Sequence, residues 1–330
     1  MDVHVAILQQ GLTTGNGVGV DEALITKTDI LGGLHSARSL SIGFCGLLSP
    51  TYYIDISAAS GLRELELRGY SPILMPIGPL TQVTSDSVSG IGNIQLVKLK
   101  QVKMPTKFQF SYQPLMDFLA CAPSIEELVV NIAVRPYFGP DQTSDRHLVM
   151  HNLHTLDVTS SDFRLMGRSF ATMFLSRIAA PSLQNISVCL LEANPIYSTM
   201  EASAIGEELV ELIQRSALNT SSGRCAIRAM KFEGRLVGDW LIRVLPLLPD
   251  LETLELDAGE ESETMLNALL RELGYTPAMY SDRLCPRLKD ISISSGSLDE
   301  NLIKSFLRAR SQPSAQCECL RRHVFSTKKF

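Results

Sequence analysis

Three histidines, His147, His151 and His154, fall within the stretch "DRHLVMHNLH" and make up half of the six in the chain. On one continuous helix, spacings of four and seven bring three imidazoles to a common face, enough to give a divalent metal three nitrogen ligands. The leucine pattern described below, however, opens a strand unit at Leu153 and so puts His154 on a different element. The expectation is polar histidines at a loop-to-strand junction and no metal. A second candidate is "HVAILQQGLTTGNGVGVDEALI", which reads as strand, glycine-rich turn and helix, the arrangement that cradles a phosphate at a helix N-terminus. Its glycines, Gly15, Gly17 and Gly19, do not make G-x-G-x-x-G, and no Lys-Ser/Thr pair follows, so a surface loop is expected. "CECLRRH" offers Cys317, Cys319 and His323, but no fourth donor lies nearby and C-x-C is too tight for a zinc knuckle. There is no G-x-S-x-G elbow, and the acid pairs Glu126/Glu127 and Glu260/Glu261 are adjacent, not set across a cleft. No catalytic residue, cofactor or metal is therefore expected. The competing reading, an enzyme or metal-binding protein, has to use the glycine segment or the histidine cluster.

The elements that would position any site come from composition and patterning. A chain of 330 residues with 45% hydrophobic content can bury a continuous core. A net charge of −5 argues against a nucleic-acid polyanion or an anionic membrane as the main partner. No basic leader and no run of eighteen apolar residues stands out, and the seven scattered cysteines do not form a disulfide framework. These features predict a cytoplasmic or nuclear protein.

The pattern apolar-x-x-apolar-x-apolar then recurs nine times: Ala37/Leu40/Ile42, Leu62/Leu65/Leu67, Ile94/Val97/Leu99, Ile125/Leu128/Val130, Leu153/Leu156/Val158, Leu183/Ile186/Val188, Ile227/Met230/Phe232, Leu251/Leu254/Leu256 and Leu288/Ile291/Ile293. The units start 24 to 44 residues apart, about 31 on average, the range of repeat architectures. Within each unit the apolar positions two apart share one side of a strand. In four units Pro123, Pro181, Pro249 or Pro286 stands two residues earlier and marks the stop between helix and strand. Amphipathic stretches precede or separate these strands, as in "EASAIGEELVELIQRS", where Ile205, Leu209, Leu212 and Ile213 line one stripe, with Trp240 expected to pack as core in another.

The predicted fold is α/β, a leucine-rich-repeat solenoid or horseshoe with a parallel sheet on the concave face and helices on the convex face. Its boundaries are a capping or flexible segment over 1–36, the array over 37–310 and a tail over 311–330. A doubly wound α/β domain also alternates strand and helix, but both of its sheet faces are covered. Here the alternate strand positions are polar, as in Thr253/Glu255/Asp257.

Units such as "PSIEELVVN", "LHTLDVTSS" and "PDLETLELDAG" resemble the irregular leucine-rich repeats of fungal F-box-type proteins, over about Ala37 to Ile293. The usual Asn or Cys at the ninth position is met only by Cys45. The resemblance implies a ubiquitin-ligase adaptor whose repeats choose a substrate while an F-box docks on a cullin linker subunit. Residues 1–36 hold no Leu-Pro pair, so that docking is expected only if an F-box lies upstream.

On a horseshoe the outward strand residues stack into columns where a protein partner is read. The expected contacts are Glu64, Glu66, Arg68, Lys98, Lys100, Glu127, Asn131, Asp157, Asn185, Lys231, Glu255 and Asp257, basic early at Lys98 and Lys100 and acidic late at Glu255 and Asp257.

Overall fold

A computed structural model of the chain describes residues 2–8, 36–45, 52–53, 59–68, 73–74, 96–108, 112–132, 147–160, 170–190, 195–234, 239–258, 262–274, 284–295, 298–311 and 320–327. The chain divides into two compact units, Met1–Asn152 and Leu153–Phe330.

One local device starts most of the strands. A four-residue turn is closed by an N–H donated back to the carbonyl three residues earlier: Leu62 to Ala59, Leu99 to Leu96, Ile125 to Ala122, Leu183 to Ala180, Leu251 to Leu248 and Leu288 to Cys285. Pro123, Pro181, Pro249 and Pro286 occupy the second position of four of these turns, where a fixed φ is pre-set and no N–H is needed. The residue just before each strand then offers its carbonyl to two N–H groups of the following unit. Arg38 accepts from Arg63 and Glu64, Arg63 from Lys100 and Gln101, Gln184 from Arg228 and Ala229, and Glu252 from Lys289 and Asp290. This double acceptance satisfies the buried backbone and sets the register before any side chain packs.

In the first unit, β1 (Asp2–Leu8), β2 (Ser39–Cys45), β3 (Glu64–Arg68), β4 (Gln101–Phe108) and β5 (Glu127–Ile132) pair in parallel, each with its predecessor. Helix α1 (Tyr112–Ala120) buries Leu115, Phe118 and Leu119 at i, i+3 and i+4. In the second unit, β6 (Thr155–Ser160), β7 (Asn185–Leu190), β8 (Ala229–Gly234), β9 (Thr253–Ala258), β10 (Asp290–Ser295) and β11 (Arg322–Thr327) form another parallel run in chain order. The helices α2 (Phe170–Arg177), α3 (Pro195–Leu218), α4 (Trp240–Val244), α5 (Glu263–Gly274) and α6 (Glu300–Ser311) intervene. Neither run reverses its strand order, so neither contains the switch point of a doubly wound sheet.

Burial follows the pleat. Leu156, Ile186, Met230, Leu254 and Ile291 make one buried row and Val158, Val188, Phe232, Leu256 and Ile293 the next. Each such side chain contributes about 1.5 to 3 kcal/mol by leaving water. Ile205, Leu209, Leu212 and Ile213 of α3 are buried, and Trp240 lies in the core with its ring 5.2 Å from that of Phe232. Two arginines fasten helix ends. Arg215 donates to the Leu175 and Ile178 carbonyls at the end of α2, and Arg310 donates to the Leu273 carbonyl at the end of α5 and to the Leu284 and Cys285 carbonyls in the turn before β10. Each is followed by a serine, and the Ser216 hydroxyl accepts from the Ala180 N–H.

One expectation changes. The third repeat is not Ile94/Val97/Leu99. Leu99 opens it, Val102 and Met104 are its buried strand positions, and Val97 is 51% exposed in the preceding turn. Residues 1–36 contribute a strand, β1, to the sheet, and the segment expected as a tail contributes β11. None of the described helices is long and apolar enough to cross a membrane.

Candidate functional site

The side chains between the buried ones point to the other face of each strand, and those described there are half-buried or exposed in both units. In the second unit the register builds three rows across this face. The first is Thr155, Asn185, Ala229, Thr253, Asp290 and Arg322; the middle row is Asp157, Ser187, Lys231, Glu255, Ser292 and Val324; the last is Thr159, Cys189, Glu233 and Asp257, followed by Ser294 and Ser326. Neighbouring members of a row lie about 4.8 Å apart, the strand spacing, and can act together on one ligand.

The rows are cross-linked by polar contacts. The Asn185 amide donates to Thr155 Oγ1 at 3.2 Å, and the Ser326 hydroxyl donates to Ser294 Oγ at 3.1 Å. Asp157 is half-buried in the middle row. Burial raises its carboxyl pKa, opposed by a hydrogen bond from Ser187 and the charge of Lys231. Lys231 in turn sits 3.8 Å from Glu233. The Cys189 thiol is pushed up to about 11, first by burial and then by the Glu233 carboxylate that it faces, so it stays protonated at neutral pH.

Towards β11 the face opens into a depression of about 270 Å³ lined by Thr253, Glu255, Asp290, Ser292, Arg322 and Val324. Among the described residues, Glu255, Asp290 and Arg322 form no ion pair, although Asp290 and Arg322 are register partners. Other strand charges are paired: Arg68 with Glu66 at 2.9 Å, Lys103 with Glu127 at 3.0 Å, and Lys231 with Glu233 at 3.8 Å.

Of the expected contact residues, Glu64, Glu66 and Arg68 lie on β3, and Glu127 and Asn131 on β5, all at alternate positions on the outward face of the first unit. Asp157, Asn185, Lys231, Glu255 and Asp257 lie on the outward face of the second. Lys98 and Lys100 do not belong to either face. Lys98 is in the turn before β4, and Lys100 precedes the strand and pairs with Glu126 at 2.6 Å. Lys103 takes the column position, beside Glu66 in register and paired with Glu127. Sequence reasoning missed Lys103 through the misplaced frame, and Arg322 and Val324 because His323 stands where the pattern demands an apolar residue.

The histidines do not share a helix. His147 precedes a two-residue strand, Leu148–Val149, His151 is in a turn and His154 leads into β6. Among the described residues no group of three or more His, Cys, Asp or Glu side chains is placed to hold a metal. The glycines at 15, 17 and 19, and Cys317 and Cys319, lie outside the described residues. Neither protein-family models nor curated proteins give a match to this sequence.

Proposed function

We propose that the chain is a non-catalytic protein-recognition scaffold, a leucine-rich-repeat solenoid whose outward strand rows form a concave face read by a protein partner. The observation that carries this reading is the pair of parallel strand runs in chain order, each with one buried face and one polar face that reaches solvent. Such a face presents charges at fixed intervals on a rigid backbone, which sets register and steers encounter. By the resemblance of its repeats, the partner is a substrate delivered to a cullin-type ubiquitin ligase, with the linker subunit bound if an F-box lies upstream.

The test is a quantitative pull-down with the tagged chain. Reversing Lys231 and Asp257 on the outward face is expected to remove proteins that the unaltered chain retains, while reversing Glu300 and Lys304 on the exposed side of α6 leaves them bound. Co-isolation of the cullin linker subunit supports the ligase reading. An identical partner list for the outward-face variant contradicts recognition through this face.

A further inference from the structure

The depression on β9, β10 and β11 gathers three charges, Glu255, Asp290 and Arg322, that form no ion pair among the described residues. Glu255 and Asp290 stand on adjacent strands two residues out of step, diagonal neighbours on one face, about 7 to 8 Å apart at the backbone, so that a single cation between them can reach both carboxylates. Arg322 follows on the next strand, level with Asp290. The distance from the midpoint of β9 and β10 to β11 is one and a half strand spacings, about 7 Å. Side chains two apart on an extended peptide that point the same way are separated by about 6.7 Å. Thr253 and Ser292 add hydroxyls for the backbone of such a segment, and Val324, 43% exposed, gives it an apolar wall.

We infer that this depression reads a basic-x-acidic step on an extended partner segment that crosses the strands from β9 towards β11. The basic side chain lodges between Glu255 and Asp290, and the acidic one, two residues on, meets the Arg322 guanidinium. Charge complementarity commits the site to this occupant: a purely basic segment meets Arg322, and a purely acidic one meets two carboxylates. The inference rests on the reading of the outward face as the recognition surface and names the chemistry of its partner.

Selection of phage-displayed random dodecapeptides on the full chain tests it. Enrichment of Lys or Arg followed two residues later by Asp or Glu is expected, above the same charges set three apart. A synthetic copy of a selected peptide is expected to bind about tenfold weaker to Glu255→Gln/Asp290→Asn and to Arg322→Gln, because each loses a charge-assisted contact. Acetylating the peptide's lysine should weaken binding to the unaltered chain equally yet change nothing further with Glu255→Gln/Asp290→Asn, a result that does not depend on the variant's stability. Binders without this spacing that are lost on Asp157→Asn/Lys231→Gln would overturn the inference and leave the recognition face standing. Binders indifferent to all of these substitutions, or no binders at all, would overturn both.

Discussion

Asp157 carries a carboxyl whose pKa is raised above the free value of 3.8, chiefly by burial, against the pull of Ser187 and Lys231. Between 3.8 and the raised value the folded chain holds a proton that the unfolded chain has lost. Stability therefore falls as pH rises through that window, and the penalty is complete at neutral pH. Asp157→Asn keeps an acceptor for Ser187 and removes the charge. It is expected to raise the urea midpoint at neutral pH and to make no difference in acid, where the native acid is already protonated; an unchanged midpoint at neutral pH would contradict this. A second outcome concerns the thiols. Cys189 and Cys225 are pushed up to about 11 and Cys285 to about 12, in each case mainly by burial. All three should alkylate far more slowly than a free thiol in native buffer at neutral pH, as read by mass spectrometry.

At the level of the elements, the packing of α3 against α4 is set by a glycine. A Cβ at Gly206 would overlap the Trp240 ring, which is enclosed in the core and packed on Phe232, so neither side can yield cheaply. Gly206→Ala is expected to lower stability by about 1 to 3 kcal/mol or more, measured by denaturant unfolding. Arg310 joins α6 to the end of α5 through the Leu273 carbonyl and to the turn before β10 through those of Leu284 and Cys285. Arg310→Met should cost about 3 to 5 kcal/mol by leaving those acceptors buried and unmet, and Arg310→Lys should recover only part, since an ammonium lacks the planar fork.

Most of these elements were readable from leucine spacing and proline position, because a turn closed by one N–H and two alternating rows of side chains need only a few residues to specify them. The third unit shows where spacing alone fails. Leu99 can close one frame or open the next, and the choice is made by its hydrogen bond to Leu96, which spacing does not reveal. Pro105 adds to the ambiguity: it has no N–H for the ladder, and the pairing of β4 with β5 breaks between Met104 and Phe108. On β11 the obstacle is His323, which holds an apolar position yet is exposed. Arg322, one half of the inferred charge step, was invisible for that reason, whereas Glu255 on the regular strand β9 was found directly.

For the molecule as a whole, the proposed solenoid makes each unit a stack of repeats held chiefly by their neighbours. Single buried leucines are then expected to act mainly through their own and adjacent repeats, so Leu254→Ala should cost about 2 to 5 kcal/mol and raise hydrogen exchange first around β8 to β10. Small-angle scattering from the monomeric chain tests the proposed solenoid. A compact globule of 330 residues has a radius of gyration of about 20 Å. A stacked array predicts a clearly larger value with a distance distribution skewed to long vectors, and a symmetric distribution at about 20 Å would contradict it.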